Sequence, residues 1–233
     1  MSASALQKFN DRYLDGLDFC KAVYALFEDI RTSEDGPTRL RMRPSEIEKR
    51  LLEELFPIAR WVQLHYKAGR YISIKWVSGG QNFDAVVEQS GWLVECELYP
   101  SNFHLEITCA MHPKDYLRRE MLEFKGHSFS IEGLYRDENG EANSQPVGYN
   151  GDEFIEIFAN ILVEQINKKA KKNYPEGSLL IVKCTMNSYY FRSEWERMIS
   201  IVEEKLPSHG FSEIFVYDDV QEELHHTFYA RKA

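Results

Sequence analysis

The chain lacks what a membrane or secreted protein would display. No stretch approaches the roughly 18 uninterrupted apolar residues of a spanning helix, and residues 1–8 carry no apolar core of a signal peptide. Cysteine is scarce. Cys20, Cys96, Cys109 and Cys184 form no C-x-x-C spacing, and three of them sit inside apolar runs. That pattern predicts reduced, buried thiols in a cytoplasmic protein. An excess of basic charge is missing too. With 28 Lys and Arg against 37 Asp and Glu the formal charge is −9, which argues against a membrane binder or a general nucleic-acid binder with a broad basic footprint. There is no Gly-rich phosphate loop, G-x-S-x-G elbow, Cys/His dyad, internal repeat or low-complexity tract.

What is present suits one large domain: 233 residues, 43% of them hydrophobic and 13% aromatic, are ample for a core. Residues 1–44 read as an N-terminal helical segment, with one helix from about Leu6 to Ile30, broken near Gly16, and then a loop through Arg43. From Ser45 to Cys184 the pattern is that of a mixed α/β core. Ser45 with Glu48 three residues on forms a capping box before a stripe of Ile47, Leu51, Leu55, Ile58 and Val62, and Pro57 predicts a kink about one turn earlier. Strands are expected over 71–77, 83–88, 92–99 and 104–108 as an antiparallel meander. A helix follows Pro113 and stops at Gly126. Then come a strand over 129–135, a loop over 136–150, and a helix capped by Asp152 that ends in the lysines between Lys168 and Lys172. Those lysines complement the negative end of the helix dipole. The run 178–184 reads as a central strand. Residues 185–233 supply a helix opened by Ser193 and Glu196 and strands at 214–217 and 227–229, completing the same domain.

Two acids stand out because each lies in an apolar run: Asp84 in Phe83-Asp-Ala-Val-Val87, and Glu106 in His104-Leu-Glu-Ile-Thr108. A carboxylate buried unpaired costs several kcal/mol, so it meets solvent, finds a partner or serves chemistry. Period-two alternation puts His104, Glu106 and Thr108 on one face of their strand, and two acids on neighbouring strands could share one divalent cation. The plain alternatives are an Asp84 paired with Lys75 across the meander, a polar-face His104, and tryptophans that serve the core. Glu95-Cys96-Glu97 offers a second pair of acids on one face.

The order helix, strand meander, helix, later strand, with Asp84 and Glu106 on meander strands, resembles the PD-(D/E)XK, or restriction-endonuclease-like, nuclease superfamily over roughly Ser45 to Cys184. The resemblance implies an α/β (α+β) fold with a mixed central sheet flanked by helices. It also implies Mg²⁺ (or Mn²⁺) held by Asp84 and Glu106, with Glu95 or Glu97 assisting, and hydrolysis of phosphodiesters in nucleic acid. Thr108 stands where the family places its lysine, and a hydroxyl cannot supply that positive charge. Lys114 or Arg118, on the following helix, are the expected stand-ins. The alternative is a catalytically inactive relative, or an acidic immunity-type protein that masks a basic protein partner, which the charge of −9 favours.

Overall fold

The computed structural model describes residues 4–148, 150–186, 190–221 and 223–230. A short helix α1 (Ser4–Gln7) and strand β1 (Leu14–Asp15) precede α2 (Gly16–Arg31), so the expected break at Gly16 is a strand-to-helix junction. Gly16 is required there, since a Cβ would lie 2.8 Å from Val62 Cγ1 and 3.0 Å from the Ile72 carbonyl oxygen. The expected loop before Ser45 contains a further helix, α3 (Gly36–Met42), which Pro37 in its first turn favours.

Next, α4 (Glu46–Arg50), a π-helical turn (Leu51–Leu55) and α5 (Phe56–His65) run on as one rod. The capping box at its start is formed: the Ser45 hydroxyl accepts from the Ile47 N–H at 3.3 Å and the Glu48 carboxylate accepts from the Ser45 N–H at 3.1 Å. Ser45→Ala should therefore cost about 1 kcal/mol, read as a lowered urea midpoint at unchanged m. The predicted kink takes the form of the π turn. Phe56 N–H reaches back to the Leu51 carbonyl, and Pro57 has no N–H to offer. The carbonyls of Leu52 and Glu53 are left for side chains: Lys183 Nζ donates to the first at 2.9 Å and Cys109 Sγ to the second at 3.9 Å.

The chain then forms β2 (Tyr71–Trp76), β3 (Ala85–Ser90), the short helix α6 (Trp92–Glu95) and β4 (Asn102–Met111). Residues 92–99 thus depart from the expected strand. Gly91, at φ +102, turns the chain away from the sheet, and the Leu93 N–H takes the Gly69 carbonyl at 3.0 Å, so the segment folds back on the turn before β2. Helix α7 (Asp115–Lys125) ends as expected at Gly126, which adopts φ +74. A 3₁₀ turn (Ile131–Gly133) leads into the hairpin β5 (Leu134–Arg136) and β6 (Ala142–Ser144), placed partly inside the expected loop. Together α7 and this hairpin enclose a small cluster of Met121, Ile131, Leu134 and Ala142. Helix α8 (Gly151–Ala170) is capped by Asn150, two residues before the expected Asp152. The remaining elements are β7 (Leu179–Thr185), α9 (Arg192–Lys205), β8 (Glu213–Asp218) and β9 (His225–Tyr229).

The seven-stranded sheet has the order β1-β2-β3-β4-β7-β8-β9. Pairing is antiparallel from β1 to β4, parallel across β4-β7-β8, and antiparallel again to β9. The protein is therefore a mixed α/β fold whose sheet is flanked by helices. On one face α2 and the α4–α5 rod cover Ile74, Leu105, Ile107, Ile181 and Phe215. On the other, α8 and α9 cover Ala110, Leu180, Val182 and Val216. The continuous apolar run of β7 reflects this double burial. Among the described residues, no helix is long and apolar enough to cross a membrane.

Candidate functional site

Asp84 lies at the bend just before β3, one residue ahead of the Ala85–Leu105 pair. Its N–H donates to the Leu105 carbonyl at 2.8 Å, and its Oδ2 accepts from the Ile107 N–H at 2.8 Å. These two bonds tie Asp84 to β4 on both sides of Glu106, one through its backbone and one through its carboxylate. Glu106 is buried, 6% exposed, on the β4 face that α8 covers. Its Oε1 receives an ion pair from Lys169 Nζ, in the last turn of α8, and a 3.3 Å hydrogen bond from the Tyr174 hydroxyl.

The electrostatics follow from burial. Desolvation first, then the nearby carboxylates of Glu106 and Glu54, push the Asp84 carboxyl up to about 7, against the opposing pull of the Ile107 N–H and Lys169. Burial and Glu106 likewise raise the Tyr174 phenol. Glu54 comes from the π turn on the opposite side of the sheet. Its carboxylate accepts from Trp76 Nε1 at 3.1 Å and pairs with Arg50 at 2.6 Å, and burial raises its proton affinity as well.

The other sequence-derived candidates are distributed differently. Thr108 shares the Glu106 face two residues along β4 and is half-buried. Lys114 is committed elsewhere, its Nζ donating to the Glu132 carbonyl at 2.7 Å. Arg118 lies on α7, which packs on α3 and the β5–β6 hairpin. Glu95 ends α6 and Glu97 adopts φ +60. Both are exposed, in the connection that closes the β3–β4 pair at the end remote from Asp84. The His104 ring lies against Phe83 in a tilted arrangement with centroids 4.5 Å apart, and burial lowers its proton affinity.

Lys169, Tyr174 and Glu54 were not singled out by the motif, though the signal for Lys169 is in the sequence. Buried Ile155, Phe158, Leu162 and Ile166 trace the inner stripe of α8, and Lys169 continues that stripe by a further three residues. Its companions in the lysine cluster lie off the stripe; Lys168, for example, pairs with Glu164 on the exposed side.

A divalent cation fits this donor set in one respect that matters. Asp84 Oδ1 and Glu106 Oε2 accept no hydrogen bond from any described residue, so each carboxylate keeps one oxygen for a ligand. Oxygen-only donors suit hard cations, and Mg²⁺ is commonly held by one or two carboxylates with water completing the shell. No group of three or more His, Cys, Asp or Glu side chains among the described residues is placed to hold a metal ion. The site therefore offers two carboxylates rather than a closed cage. No family model matches the chain, and no curated protein or solved structure is significantly similar to it.

Proposed function

We propose that the protein is a metal-dependent phosphodiesterase of the restriction-endonuclease-like type, acting on nucleic acid. In this reading Asp84 and Glu106 hold one Mg²⁺ or Mn²⁺, and Lys169 supplies the positive charge that Thr108 lacks. The observation that carries it is the ion pair from Lys169 to Glu106, two groups whose charges both act on the Asp84 carboxyl. It brings two acids and a lysine together although the lysine arrives from α8 instead of from β4. When bound, the cation would activate a water and stabilise the leaving oxygen. The Ile107 N–H holds Asp84 in place, so the acid needs no reorganisation to act as a ligand. Tyr174 and Lys169 hold the Glu106 carboxylate through Oε1, and Oε2, which accepts no hydrogen bond from a described residue, would be the oxygen offered to the cation. The Lys169 ammonium is then the cation available to charge developing on phosphate oxygens.

Incubation with single- and double-stranded DNA and RNA, with Mn²⁺ or with chelator, tests this. Metal-dependent cleavage is expected for the wild type and should fall to background in Asp84→Asn and Glu106→Gln. A second reading, an inactive acidic protein that binds a basic partner, is favoured by the charge of −9 and by the closure of Glu106 onto Lys169. No cleavage of any substrate, with a Mn²⁺ effect on melting identical in all three proteins, would leave that second reading standing.

A further inference from the structure

On the sheet face opposite to α8, a cavity of about 320 Å³ opens where the parallel strands β7 and β8 end. It is separate from the acidic site. Lys183, on its floor, pairs in register with Cys109, three residues beyond Glu106 and on the other face, roughly 10 Å along the strand. The volume is at the lower end of small-ligand pockets, room for one ring system and a charged group.

Its walls are of two kinds. Tyr24, Phe27 and Phe56 form an edge-to-face aromatic set, with centroids at 5.3 and 5.4 Å, and Tyr217 lines the cavity from β8. The floor is a pair of buried cations with unused donors. Lys183, 2% exposed, spends its ammonium on the Leu52 carbonyl and Asp219 Oδ2, both at 2.9 Å. One of its three protons is therefore without an acceptor among the described residues. Arg43, 5% exposed, has one bond, from Nη1 to Glu53 Oε1 at 2.7 Å, and its Nε is buried with no partner. Buried donors are rarely left unmet, because each has given up its hydration without gaining a partner. Glu53 takes one Arg43 donor and Asp219 one Lys183 donor, which leaves the remaining donors of both cations open, and Asp218 also lines the cavity.

We infer that this cavity binds a small planar ring bearing one anionic group, the ring against Tyr24, Phe27 and Phe56 and the anion on the Arg43 and Lys183 donors. The anion is a carboxylate or a phosphate, and the choice of probes separates the two. Isothermal titration of the full chain with indole-3-carboxylate and with AMP, against neutral indole, adenosine, acetate and inorganic phosphate, tests the inference. Saturable binding of at least one ring-bearing anion is expected, at least tenfold tighter than its neutral ring or its bare anion. Tyr24 is 44% exposed, so Tyr24→Ala should fold normally and weaken that binding at least tenfold. Arg43→Gln should do the same, with circular dichroism confirming its fold. Binding should persist in Glu106→Gln, which keeps this site distinct from the acidic one. Absence of binding by both ring-bearing anions, or affinity unchanged in Tyr24→Ala, would overturn it.

Discussion

Lys169→Met should lower metal-dependent cleavage by about 10²–10³-fold, the usual loss when one preorganised group that stabilises transition-state charge is removed. The loss should lie in kcat, with KM little changed, because the ammonium would act on charge that develops during the reaction. Affinity for Mn²⁺ should hold or rise in the same variant, since Glu106 Oε1 loses the cation that now competes for it. A purely structural lysine predicts a different outcome. The variant would melt earlier, because Glu106 would be buried without its counter-charge, and metal-dependent cleavage by the folded fraction would match the wild type. Lys169→Arg, which keeps the charge but changes its geometry, should restore stability more fully than activity.

Stability should respond to pH through Asp84, and the sign is set by burial. The carboxyl titrates at about 7 in the folded protein, against about 3.9 in an unfolded chain. The folded state therefore holds a proton that the unfolded chain releases. This group's contribution is complete below about pH 4 and is lost as pH rises towards 7. At about 1.4 kcal/mol per pH unit the full swing is of order 4 kcal/mol. Asp84→Asn removes the titration, and its amide oxygen can still accept from the Ile107 N–H. Urea unfolding of both proteins at pH 4 and pH 8 should show Asp84→Asn gaining about 2–4 kcal/mol on the wild type over that interval. Mn²⁺ at pH 8 should restore the wild type by mass action and leave the variant unmoved. Parallel pH profiles would mean that Asp84 is ionised and solvated throughout.

Elements marked by strong local signals were legible in the sequence. The Ser45 box, the proline at 57, the run that became β7 and the glycine stop at Gly126 each specify local structure by covalent geometry or by apolar pattern, and each appears where expected. The segment from Trp92 to Tyr99 was misleading because its alternation matches a strand, while its fate is decided by the Gly91 turn and by docking on Gly69, contacts remote in sequence. The acids Asp84 and Glu106 were visible as charges in apolar runs. Glu54 and Lys169 were hidden because each sits on a helix where an acid or a lysine has an ordinary explanation, one beside Arg50 and the other near a helix C-terminus. Only the pairing of α8 with β4 brings that lysine to Glu106.

In the proposed function Asp84 and Glu106 together hold one divalent cation. Calorimetric titration with Mn²⁺ at pH 6.5, repeated in buffers of different ionisation enthalpy, reads both the stoichiometry and the protons displaced. One Mn²⁺ per chain is expected, with release of most of a proton as Asp84 gives up the one it holds below about pH 7. Both signals should vanish in Glu106→Gln and in Asp84→Asn. Binding without proton release, or binding that survives either substitution, would contradict the shared site.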